Sequence, residues 1–260
     1  MNSEFINNLN SPVSKSIHDG ILRCARYAFG PNRLHYCGPD VGHEVAAHLA
    51  NKAADPNLQH ILEQFRTLYP YLNLIAQANH ITDPFEERVV EAYWIGNELL
   101  ETVSRRKLYN LLVQDLHLKQ RLNAKTFSQA ADTIGRGAVP HHSFHVLDVW
   151  RHTGHQDREH TLTTLDECRI SWGQVTIVDG PSITVASEPL GYLEGKLFLA
   201  PAATRKLVRK LEADYAIEQL KQGDIVTIHW GVPCEVVSPH QAEVLRSYTL
   251  RHLKFANQTI

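Results

Sequence analysis

Histidine is the chemistry-bearing residue that stands out in this 260-residue chain: there are 16, and 13 of them precede residue 167. They crowd most closely in Ala138-Val139-Pro140-His141-His142-Ser143-Phe144-His145-Val146. If Pro140 starts a helix, His141 and His145 lie one turn apart on one face, and His142 and His145 are also neighbours. Two imidazoles at that spacing can hold one metal ion, as on metallohydrolase helices. His141, His142 and His145 are therefore candidate metal ligands, with Asp148, His152 or His155 as a source of the third. There is no HExxH, and without its glutamate base a metalloprotease is disfavoured. The same residues also have a purely structural reading. Adjacent histidines cap helix starts or line exposed loops, and Phe144, Val146, Leu147 and Trp150 mark a face that packs inward.

The four cysteines, Cys24, Cys37, Cys168 and Cys234, form no CxxC pair. At this length they do not indicate a disulfide framework, so reduced thiols in a cytosol are expected. Cys37 lies in Tyr36-Cys37-Gly38-Pro39-Asp40. A thiol just before a helix can have its pKa lowered by the helix N-terminus. Alternatively the Gly-Pro pair shapes a turn and Asp40 caps the helix, with His35 alongside. Cys168 and Cys234, taken singly, read as small buried hydrophobes.

The elements that must position these groups change character along the chain. The first 135 or so residues have helical periodicity, with Ile17, Ile21, Leu22, Ala25 and Ala28 on one stripe. Asp55-Pro56-Asn57 opens a longer helix, with Leu58, Ile61, Leu62, Phe65, Leu68 and Leu72 on one face. Asp83-Pro84-Phe85-Glu86 combines a cap, a first-turn proline and a glutamate at capping-box spacing, and predicts a helix through about Val103. Another helix is expected from Arg105 to Leu118. Arg151 to Asp166 is polar and reads as a linker or exposed loop. From Cys168 the period shifts towards two, in short strands split by Gly and Pro turns such as Asp179-Gly180-Pro181. A helix is expected over Thr204–Leu220, and an amphipathic one from about Pro239 to Phe255. The fold class is thus α+β. An N-terminal all-α helical bundle (residues 1–160) is followed by a small β-rich barrel or sandwich with a C-terminal helix (residues 167–260).

Composition narrows the function classes. With 43% hydrophobic and 21% charged residues the chain can bury a substantial core. The net charge is −2, from 26 Lys and Arg against 28 Asp and Glu, and neither half is basic. That argues against nucleic acid, whose binding depends on neutralising phosphates. Arg205-Lys206-Leu207-Val208-Arg209-Lys210 lacks interleaved aromatics and is explained as a solvated face. No apolar run approaches the roughly 20 residues of a membrane span, and the first residues lack the pattern of a signal peptide. A cytoplasmic protein with no membrane partner is expected.

Two stretches of the C-terminal third carry a family resemblance. Cys168-Arg169-Ile170-Ser171-Trp172-Gly173-Gln174-Val175 and, some 50 residues on, Gly223-Asp224-Ile225-Val226-Thr227-Ile228-His229-Trp230-Gly231 stand in order before a helix containing Gln241-Ala242-Glu243. Together they resemble the HypC/HupF family of nickel–iron hydrogenase maturation chaperones over residues 167–256. The resemblance implies an OB-like β-barrel that serves as a scaffold rather than an enzyme. It implies Cys168 as an iron ligand, His229 as its neighbour or second ligand, and a hydrogenase large-subunit precursor and other maturation proteins as partners. The iron could carry ligands of its own. Thiolate and imidazole are both suitable donors to iron. Two further readings stay open: an iron-dependent enzyme using His141, His142 and His145, and an interaction module whose barrel has lost its chemistry.

Overall fold

The computed structural model describes residues 12–153, 161–208 and 220–259. Helices dominate the N-terminal part: α1 (Pro12–Arg33), α2 (Gly42–Asn51), α3 (Pro56–Glu63), α4 (Tyr69–Ala78) and α5 (Glu87–Trp94), then α6 (Arg105–Asn110), α7 (Leu118–Arg121) and α8 (Ala124–Gly135). A further helical stretch follows as α9 (His142–Phe144), a π-helical turn (His145–Trp150) and α10 (Arg151–Thr153). α11 (Leu162–Cys168) leads into the strands, and α12 (Pro239–Ala256) ends the described chain. The local reasons are visible in the sequence. Asp55 caps α3 by accepting from the Asn57 and Leu58 amides, each at 3.0 Å. Ser238 and Gln241 form a capping box on α12, with Pro239 in its first turn.

The strands are β1 (Ser171–Asp179), β2 (Ser182–Ser187), β3 (Leu190–Leu193), β4 (Lys196–Leu199), β5 (Ala203–Val208), β6 (Ile225–His229) and β7 (Val232–Val237). β3 and β4 form a separate hairpin. The other five make an antiparallel sheet in the order β5-β2-β1-β6-β7, curled so that β5 and β7 meet. In β2 the burial alternates, with Ile183 and Val185 inside. β6 is different: Val226, Thr227, Ile228 and His229 are all buried, because α1 packs on the side of the strand that the sheet interior does not cover. One continuous apolar core joins Ile21, Leu72 and Val90 of the helices to Val226 and Val232 of the sheet and Leu245 of α12. A smaller cluster under α11 and the β3–β4 hairpin includes Val146, Trp150, Leu165 and Trp230. Among the described residues, no helix is long and apolar enough to cross a membrane.

The α+β order is as read from the sequence, and the structure corrects several details. The helix expected over Thr204–Leu220 begins instead as strand β5, whose Thr204 and Leu207 pair with Ala186 and Ile183 of β2; residues 209–219 lie outside the described part. The helix expected to reach Val103 runs only from Glu87 to Trp94, since Gly96 has φ +106 and sits where a Cβ would strike the Tyr248 ring. Asp83 does not cap it, and instead accepts the Phe85 amide at 2.8 Å in the preceding turn. The helix expected over Arg105–Leu118 becomes α6 plus a π-helical turn (Leu111–Asp115), and it breaks at His117, with φ +52. Part of the expected linker is α11, started by a capping box of Thr161 and Thr164. Cys168 therefore ends a helix rather than opening a strand.

Candidate metal centre

Three element ends converge on one point. His142 is the first residue of α9, Cys168 the last of α11 and His229 the last of β6. One ring nitrogen of each imidazole and the Cys168 Sγ lie within 4.8 Å of one another, the one such group of potential metal ligands among the described residues. All three residues line a cavity of about 770 Å³, walled also by Tyr36, Cys37, Phe65, Tyr93, Trp94 and Trp230.

Each donor is held from behind. His229 Nδ1 lies 2.7 Å from the Tyr27 carbonyl, an atom that can only accept, so the ring carries its proton there. Its Nε2 is buried and makes no direct hydrogen bond, although the Cys168 carbonyl lies close enough to favour a proton on the ring. This is the arrangement of a metal-binding histidine, whose second nitrogen is fixed by a carbonyl. Tyr27 is itself fixed: its hydroxyl donates to Glu235 Oε1 at 2.6 Å and lies 2.9 Å from Thr227 Oγ1, while Arg23 Nε donates to Glu235 at 2.9 Å. α1 can approach this closely because residue 30 is glycine; a Cβ there would lie 2.6 Å from the His229 carbonyl oxygen.

His142 Nε2 donates to the Cys168 carbonyl at 2.8 Å, and its Nδ1 faces the Tyr93 hydroxyl at 3.1 Å. The Tyr93 hydroxyl also reaches the Thr67 carbonyl, at 3.4 Å. Moving the ring proton to Nδ1 would let His142 donate to Tyr93 and Tyr93 to Thr67, freeing Nε2 as a donor to a metal. The Trp94 ring lies tilted against both imidazoles, its centroid 4.6 Å from that of His142 and 5.6 Å from that of His229.

Cys168 is fixed through its neighbours. The last carbonyls of a helix have no partner within it, and here that of Glu167 accepts the Trp230 amide at 2.9 Å while that of Cys168 accepts His142. Asp166 accepts the buried Arg169 guanidinium at 2.7 Å and the Leu190 amide at 2.9 Å. Trp230 and Gly231, both at positive φ (+49 and +72), form the two-residue turn between β6 and β7. Trp230 stacks on Tyr36 with centroids 3.9 Å apart.

Burial makes the free site neutral. It pushes the Cys168 thiol well up, an effect reinforced by Cys37 and opposed by the Trp230 indole. It lowers His229 to about 4, with the Tyr27 and Cys168 carbonyls pulling the other way. His142 is driven far down by burial and then by His229 and His145. Two neutral imidazoles and a thiol suit zinc, iron, copper or nickel, and a bound cation would reverse the penalty on the thiolate.

Of the five residues singled out from the sequence, the structure gathers His142, Cys168 and His229 and leaves two outside the cluster. His141 is the N-cap of the helix: the His145 amide still reaches its carbonyl at 3.3 Å, but its ring turns to Ser143. Its Nδ1 accepts the Ser143 amide at 3.1 Å, and Ser143 Oγ links it to His252 Nδ1, each contact 2.7 Å long. His145 lines the cavity with its ring 6.3 Å from that of His142, and its Nδ1 lies 3.3 Å from the Tyr71 hydroxyl. Of the suggested third ligands, neither Asp148 nor His152 joins the cluster. Asp148 is buried with neither oxygen hydrogen-bonded, His152 pairs with Arg151 at 3.0 Å, and His155 lies outside the described residues. Cys37 precedes α2 by five residues, and burial raises its thiol rather than lowering it; its Sγ lies 3.3 Å from Thr67 Oγ1. Sequence reasoning missed the clamping roles of Tyr27, Tyr93 and Gly30, which no local pattern marks.

A family model described as a family of unknown function (DUF6390) matches residues 16–260 as one stretch. No curated protein and no solved structure matches the chain. The resemblance to the HypC/HupF family is therefore corrected: the match joins the C-terminal third to the helices in a different, single family. The expectations that rested on that resemblance alone, a hydrogenase precursor as partner and delivery of iron to it, lose its support.

Proposed function

The chain belongs to DUF6390, a family of unknown function, and from the geometry of its site we propose that it is a mononuclear metalloprotein that binds and activates a small molecule. His142, Cys168 and His229 hold one divalent transition metal, and the side facing the cavity stays open. Three protein ligands with an open position are the pattern of catalytic rather than structural metal sites. In such a setting the ion supplies Lewis acidity or lowers the pKa of a bound water. The observation that carries the reading is the convergence of three donors from separate elements within 4.8 Å, at the wall of a 770 Å³ cavity. A cavity of that size suits a small organic ligand. Ordinary zinc distances of about 2.0–2.3 Å need the donors somewhat closer together, which side-chain rotations supply. Iron is one of several ions this donor set accepts. A reducing compartment such as the cytoplasm fits a site that needs a free thiol.

The test is a titration of the metal-free full chain with Zn²⁺ or Co²⁺. One equivalent binds to the wild type. Cys168→Ser and His229→Ala weaken binding by more than the roughly 10–100-fold that losing an outer-shell partner costs. Wild-type affinity in both variants would reject the site.

A further inference from the structure

The chemistry of the cavity wall names a class of ligand for the site just proposed, on which this inference rests. Three of the lining residues carry ordinary charges: Glu63, Arg66 and Arg121. Arg66 follows α3 and Arg121 ends α7, so two distant stretches of chain bring exposed arginines to the wall of one cavity. Neither has an ion-pair partner among the described residues. The carboxylate of the wall is already engaged, since Glu63 Oε1 accepts Gln59 Nε2 at 3.1 Å and its other oxygen lies 3.7 Å from His60. The charge of Arg121 is felt inside: after burial, it is the second cause that holds His145, on the same wall, at about 4. A divalent ion bound by one thiolate would add a further net positive charge. Besides the neutral polar residues Gln64, Thr67 and Thr153, much of the remaining wall is aromatic and aliphatic, with Phe65, Tyr36 on Trp230, Leu116 and Leu118.

We infer that the cavity binds a small organic acid, its carboxylate held between Arg66 and Arg121 and its apolar body lying along the aromatic wall towards the metal. Guanidinium matches carboxylate with paired hydrogen bonds, and a cleft lined by one sign of charge concentrates the opposite ion. The wall's own charges sum to one positive charge, and the metal with its thiolate would add a second, so the cavity favours an anion over its uncharged amide.

The experiment uses the Zn²⁺-loaded full chain, with tryptophan fluorescence as the readout, since Trp94, Trp150 and Trp230 all line the cavity. The probes are acetate, benzoate and phenylacetate, each paired with its uncharged amide, together with phenyl phosphate. At least one acid is expected to bind ten-fold or more tighter than its amide. Arg66→Ala/Arg121→Ala removes that preference while leaving one zinc per chain. The inference is overturned if no acid binds, if acids and amides bind alike, if phenyl phosphate binds while the acids do not, or if the double variant keeps the preference. The zinc content of the same samples separates the two ideas. One zinc without acid preference rejects the ligand class alone, and no zinc rejects the metal site beneath it.

Discussion

Cys168 decides the pH behaviour of the site. Burial raises its pKa, so the metal-free protein near neutrality holds a thiol, while His229 is neutral down to about 4. Binding a metal must therefore expel one proton, and affinity should rise about ten-fold per pH unit between roughly pH 5.5 and 8. Isothermal titration in buffers of different ionisation enthalpy would count the proton; a count of zero would mean that the sulfur is not a ligand. Cys37 is the control. It shares the cavity but bonds Thr67, so Cys37→Ser should leave metal stoichiometry unchanged, and a loss of metal there would move the thiolate role to it. The sequence showed His142 only as one of three histidines. It could not separate His142 from His141, because adjacent residues diverge at a helix start: His141 stays extended as the cap and turns to Ser143 and His252. Cys168 and His229 were reached through a resemblance that the family match does not bear out, so nothing in their local pattern alone identified them.

The elements place the donors by a few backbone contacts, and Gly30 of α1 is the most exposed to test. Alanine there would gain up to about 1 kcal/mol of helix propensity, but its Cβ would meet the His229 carbonyl at 2.6 Å. Overpacking of that kind costs about 1–3 kcal/mol, so the collision should win. Gly30→Ala is expected to fold, to be less stable in urea, and to bind Zn²⁺ at least ten-fold more weakly. Unchanged affinity would show that α1 does not set the position of His229. Helix and strand order, the helix starts at Asp55 and Pro239 and the turn at Gly180 were legible in the sequence, because each depends on neighbouring residues. The errors came from tertiary influence. β5 is a strand because β2 offers it an edge, and α5 stops where the Tyr248 ring comes close to Gly96. Convergence of residues 142, 168 and 229 depends on how three elements pack, which no spacing along the chain encodes.

At the scale of the molecule, five buried histidines among the described residues, His141, His142, His145, His229 and His252, have their pKa values lowered, with burial the largest cause. The unfolded chain protonates near 6.5 and the folded one only at much lower pH, so stability is full above about 6.5 and drains away as pH falls. Each group contributes up to about 1.4 kcal/mol per pH unit across its window. Urea unfolding between pH 7 and 5 should therefore show steep loss with uptake of several protons, and a flat profile would mean that these rings are solvated. A bound metal should oppose unfolding at neutral pH, by about 2.7 kcal/mol when free metal is 100 times its dissociation constant. The central claim, that one metal is held by one sulfur and two imidazoles with a side left open, is tested most directly by X-ray absorption at the zinc edge of the loaded full chain. The account predicts one sulfur near 2.3 Å and nitrogen or oxygen donors near 2.0–2.1 Å, with the outer-shell signature of two imidazoles. A spectrum with no sulfur, or with four protein donors closing the sphere, would contradict it.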